Sequence, residues 1–104
     1  MTLVSRLNHA RWTGDAGDAV TARELTAEIL PVRIRVSGAE HPHTLIVVSN
    51  LARWTAESGD ISSACTLLRD LIPVCDRILG EDHPISVKAR ARLEAWNSRQ
   101  HSWD

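Results

Sequence analysis

With 104 residues, a formal net charge of −1 and a pI near 6.5, the chain has the size of one domain and can remove roughly 60–65% of its unfolded surface from water on folding. The charge balance excludes the strong electrostatic footprint of a nucleic-acid or anionic-membrane binder and leaves only local patches. The opening Met1-Thr2-Leu3-Val4-Ser5-Arg6 is not apolar enough for a signal peptide, and no window approaches about 18 apolar residues, so a soluble, cytoplasmic protein is expected.

In chain order, Leu3, Leu7 and Ala10 recur at helical spacing, flanked by Val4 and Trp12, and predict a helix α1 from Thr2 to about Asp15. Gly17 supplies a left-handed stop, and Asp18 can accept from the free amides that open the next helix. That helix, α2, is predicted over about Ala19 to Val36, with Ala22, Leu25, Ile29, Val32 and Val36 on one face. Pro31 lies inside it, lacks an amide hydrogen and crowds the carbonyl of Ala27, which predicts a bend there. Gly38-Ala39-Glu40-His41-Pro42 forms a loop with Pro42 as first residue of α3, which extends to about Glu57 and turns Leu45, Val48, Leu51, Ala52 and Thr55 inward. After Gly59-Asp60, α4 is predicted over about Ile61 to Leu79, with Ile61, Ala64, Leu67, Leu68, Leu71, Val74 and Ile78 inward and Pro73 repeating the role of Pro31. The loop Gly80-Glu81-Asp82-His83-Pro84 starts α5, which is expected to reach about Gln100. Cys65 and Cys75 lie ten residues apart on α4, about 15 Å along its axis, too far for a disulfide that needs Cα atoms within about 7 Å. They are expected to be free packing thiols in a reducing compartment.

The elements repeat. Trp12, Trp54 and Trp96 are spaced by 42 residues, as are the pairs Pro31/Pro73, Gly38/Gly80 and His41-Pro42/His83-Pro84, and sliding residues 1–62 over 43–104 gives 19 identities. Ordinary residue usage would give roughly 4. A period of this length marks stacked supersecondary units that hide their apolar faces against one another. The chain therefore divides into a first repeat over about 1–41, a second over about 42–83, and a half-repeat over about 84–104. Ala10 with Ala22, and Ala52 with Ala64, are small residues placed for close helix approach. The matching residue in α5 is Glu94, which is expected to face water. With Arg90, Arg92, Arg99 and Gln100 it suits a capping helix. The competing reading takes Trp103 as the first residue of a lost helix and the chain as a fragment of a longer array.

Asn50-Leu51-Ala52, the turn Gly59-Asp60, Ala64, the linker Leu79-Gly80-Glu81-Asp82-His83-Pro84 and the matching His41-Pro42-His43-Thr44-Leu45 resemble the tetratricopeptide repeat (TPR). The likeness is to the 42-residue form found in kinesin light chains and many bacterial regulatory proteins, and it covers the whole chain. The large aromatic usual late in the first helix of each repeat is replaced by Thr13, Thr55 and Asn97, beside Trp12, Trp54 and Trp96, and His9 stands where leucine is usual. The resemblance implies an all-α fold, an α-α superhelix of five antiparallel helices and about two and a half repeats, whose concave wall is made by α1, α3 and α5. It implies non-catalytic binding of extended peptides or partner proteins, with no cofactor or metal.

Carried over by position, the wall comprises Leu7, Asn8, Arg11 and Asp15, then Ile46, Ser49, Asn50, Arg53 and Glu57, then Lys88, Ala91, Arg92 and Ala95. Asn8 and Asn50 match the asparagines that hydrogen-bond a ligand's main chain in such repeats, since an amide offers donor and acceptor together. Arg11, Arg53 and Arg92 suit carboxylates, so the narrower expectation is an acidic or C-terminal peptide. The three repeating tryptophans are expected to be core between repeats, and His41 and His83 structural parts of the linker. The alternatives are a self-associating element that dimerises through its terminal helices and Trp103, and a sensor segment of a larger signalling ATPase.

Overall fold

Each helix begins where a side chain takes up the amides that a helix leaves free at its start. The computed structural model describes residues 2–101. Thr2 Oγ1 accepts from the Ser5 amide at 3.1 Å and opens α1, Leu3–Asp15. Asp18 accepts from Thr21 at 3.0 Å to open α2, Ala19–Ser37, and Asp60 accepts from Ser63 at 3.1 Å to open α4, Ile61–Ile78. The linker histidines cap the other two. His41 Nδ1 accepts from the His43 amide and His83 Nδ1 from the Ile85 amide, each at 3.1 Å, at the starts of α3, Pro42–Glu57, and α5, Pro84–His101. Gly17 and Gly59, at φ of 105° and 107°, make the tight turn within each hairpin, a conformation closed to most other residues.

The helices stack antiparallel in chain order, each on the next, as a solenoid measuring 45 × 32 × 19 Å. The short dimension is two helices thick at about 10 Å each. Ala10, Ala22, Ala52 and Ala64 are fully buried, as expected where the paired helices come closest. Leu45, Leu68, Leu71, Cys65, Cys75, Ala89 and Trp96 fill the core of the second hairpin and α5. Both cysteines are free thiols, and burial pushes the Cys75 thiol pKa up, with Asp76 adding to the effect, so it stays protonated and apolar. Pro31 and Pro73 are exposed and lie inside helices that run unbroken through them, and Ala27 and Arg69, four residues earlier, are exposed as well. Glu94 is exposed, as expected for a charged residue at that position.

The tryptophans depart from the expectation of a uniform core. Trp54 is 1% exposed and Trp96 8%, whereas Trp12 is 65% exposed. The reason is positional: Trp54 is covered by Gly14 of the preceding hairpin, and no described hairpin precedes Trp12. Val36 and Ile78, expected to face inward, are exposed too. They hold the same place in the last turns of α2 and α4, and α2, with 19 residues against 13 in α1, runs past its partner. Conversely Val47, outside the set expected to face inward, is buried. Trp103 lies outside the described residues.

Candidate peptide-binding wall

Which side of the solenoid is concave follows from which helices meet across a hairpin. Helix α1 touches α3 and α3 touches α5, whereas α2 and α4 make no such approach among the described residues. The stack therefore closes toward the odd-numbered helices. On α3, Ile46, Ser49, Asn50, Arg53 and Glu57 fall at helical spacing along one stripe.

The structure places the candidate residues unequally. Arg11, Glu57 and Lys88 are exposed, Asn8, Ile46, Asn50, Arg53 and Arg92 are half-buried, and Ser49 is buried. The side chains of Asn8 and Asn50 make no hydrogen bond among the described residues, which leaves both amides open to a ligand backbone. Arg53 is already engaged: Nη2 lies 2.9 Å from Asp15 Oδ1, Nε lies 3.7 Å from Glu57 Oε2, and its guanidinium sits 4.2 Å from the centre of the Trp54 ring. These partners fix its direction and lower its claim on an incoming anion.

Arg92 is held differently. Its Nη1 donates to Ser49 Oγ at 3.4 Å, and it has no carboxylate within ion-pair distance among the described residues. Burial, and then the like charge of Arg53, push its pKa below the ordinary guanidinium value, with Glu57 pulling the other way. A guanidinium still carries its charge under such a shift. Arg92 is thus a cation that has lost water and gained only a long bond to a neutral hydroxyl, and an arriving carboxylate would offset both the burial and the repulsion from Arg53.

A recess of about 170 Å³ opens beside Asn8, lined by Leu3, Val4, Leu7, Arg33, His43, Ile46 and Val47. It can take an apolar side chain while Asn8 meets the adjoining backbone. Arg33 and His43 were absent from the sequence expectation because they come from α2 and the first turn of α3, which meet α1 only once the chain has folded. A larger open groove of about 530 Å³ lies between α2 and α4, over Leu51 and Thr55. Its Asp60 and Ser63 are occupied with capping α4, and it shares no residue with the wall.

The tetratricopeptide repeat family model matches residues 44–85, from the third residue of α3 to the second residue of α5. Those residues are similar to a tetratricopeptide repeat. The chain's fold is that of the nearly identical TPR-like repeats in a Podosopora anserina protein described as a kinesin light chain. The crystal structure of those repeats superposes with a TM-score of 0.85 at 23% identity, over 96% of this chain and 47% of that one. A single-substitution variant of the same protein gives a TM-score of 0.84 at 23% identity with the same coverage. The chain thus spans about half the length of those chains. No curated protein matches it. Among the described residues no helix is long and apolar enough to cross a membrane.

Proposed function

We propose that the chain is a non-catalytic adaptor that holds an extended peptide along the wall of α1, α3 and α5, and that the peptide carries an acidic side chain or its own terminal carboxylate where it meets Arg92. The observation that supports this most is Arg92 itself: half-buried, repelled by Arg53 and held only by a long bond to Ser49. Asn8 and Asn50 supply donors and acceptors for the main chain, and the recess beside Asn8 supplies a place for an apolar side chain. Arg53 acts as a positioning group beside Arg92, its direction fixed by Asp15 and Glu57.

The test is an array of peptides displayed with free and with amidated C-termini, probed with the full chain and then measured by calorimetry. Binders are expected to be acidic, and Arg92→Ala is expected to weaken them about tenfold or more, the effect of losing a charge-assisted hydrogen bond worth about 1.5–3 kcal/mol. Asn50→Ala should weaken acidic and neutral peptides alike, because it acts on the backbone. Should both variants capture the same peptides with unchanged affinity, the wall is not the binding surface.

A further inference from the structure

The first repeat is polar at one place where the second is packed with apolar side chains. One repeat on from Arg33, Ser37 and His43 stand Cys75, Leu79 and Ile85. Cys75 is fully buried, and Leu79 and Ile85 pack against the core of the second hairpin and α5. The three exchanges belong together. Arg33 and His43 both line the recess of about 170 Å³ beside Asn8, and Ser37 Oγ accepts from Arg33 Nη1 at 3.3 Å.

Arg33 is half-buried there, its Nε is buried without a hydrogen-bond partner, and no carboxylate lies within ion-pair distance of it among the described residues. A cation drawn into an apolar wall with only a neutral hydroxyl for company is costly to hold, and a carboxylate is the group that offsets the cost. The rest of the recess asks for hydrocarbon. Leu3, Leu7, Ile46 and Val47 line it, and its volume is close to that of an engineered cavity of about 150 Å³ that holds a benzene ring.

We infer that this recess is a binding site for a carboxylate borne on a short branched aliphatic group, with Arg33 pairing the carboxylate and the four apolar side chains covering the hydrocarbon. An aspartate or glutamate side chain is the poorer fit, because its carboxylate arrives with too little hydrocarbon to fill the space. Two sources share the required chemistry: the C-terminal leucine, isoleucine or valine of a peptide, and a free acid such as 4-methylpentanoate. With a peptide as the source, the site rests on the adaptor reading and seats the last residue between α1 and α3, where Asn8 meets the preceding peptide unit. With a free acid it needs no peptide at all.

The probes are 4-methylpentanoate and acetyl-glycyl-glycyl-leucine, each paired with its own amide and titrated into the isotopically labelled full chain. The readout is NMR shifts of the Leu7 and Val47 methyls and of the Arg33 side-chain N–H groups. Saturable shifts are expected with at least one of the acids, and its amide should bind about tenfold more weakly or worse. Arg33→Gln should weaken the acid by a similar factor. Arg33→Cys combined with His43→Ile installs what the second repeat packs at these positions, and it should abolish binding while the remaining resonances keep their native dispersion. Binding of the peptide alone makes a chain terminus the ligand, and binding of 4-methylpentanoate makes a free acid sufficient; either result supports the site. No shift with either acid overturns the inference, as does equal affinity for acid and amide or indifference to Arg33→Gln. Failure of acidic peptides to bind at Arg92 is a separate result: if 4-methylpentanoate still shifts Arg33, the adaptor reading falls and the recess stands.

Discussion

The three repeating tryptophans are one residue type in one register with different environments, and their environments decide their worth. The Trp54 ring fills the space above Gly14 with its indole N–H unpartnered, so dispersion and apolar burial must outweigh a lost hydrogen bond of about 1–3 kcal/mol. Trp54→Ala is therefore expected to cost about 3–5 kcal/mol in urea denaturation, while Trp12→Ala should change stability by less than about 0.5 kcal/mol. Equal costs would mean that the two rings sit in equivalent surroundings. Gly14→Ala should destabilise as well, by about 1–3 kcal/mol, because the ring has no room to retreat inside a packed seam. None of this was readable from Trp12 and Trp54 themselves, whose flanking residues, Arg on one side and Thr on the other, are identical. Burial is a property of what lies opposite, and the neighbour at Gly14 is 40 residues away in the chain.

At the scale of the element the sequence was almost fully legible, because caps are local. Asp18 and Asp60, the Gly17 and Gly59 turns, and His41-Pro42 and His83-Pro84 each act within a few residues, so four of the five helix starts fall where their residues predict and the fifth, α1, differs by the capping residue Thr2 alone. The same caps set the acid behaviour of the fold. The hydrogen bonds from Thr21 and Ser63 hold the Asp18 and Asp60 carboxyls below their ordinary value of 3.8, and Arg77 holds Glu40 below 4.5. Groups whose pKa is depressed by folding contribute stability that is complete above those ordinary values and is lost as pH falls through the lower folded ones. Asp18→Asn with Asp60→Asn keeps both caps but removes both titrations, since asparagine caps about as well as aspartate. The expected outcome is near-unchanged stability at pH 7 and a flatter loss of stability below about pH 4 in denaturant midpoints. A double variant that tracks the parent throughout the acid range would show that the caps do not drive it.

Across the whole molecule, the repeat period made the solenoid legible, and the wall followed from it only in outline. The register placed Asn8, Asn50, Arg53 and Arg92 on the odd-numbered helices, and they are there. It did not show that Arg53 would be taken by Asp15 from the previous hairpin, nor that Arg92 would lean on a buried Ser49, because both pairings depend on how far α1, α3 and α5 approach across the stack. A hairpin-by-hairpin pattern fixes which face a residue occupies, and the seam fixes which of those residues remains available. The most direct test of that view is fluorine NMR on the full chain labelled with fluorotryptophan, with signals assigned by single Trp→Phe variants and each resonance compared in water and in deuterium oxide. A large solvent isotope shift at Trp12, essentially none at Trp54 and a small one at Trp96 is the predicted result. Equal shifts at Trp12 and Trp54 would contradict the stacked seam and, with it, the wall built on the same register.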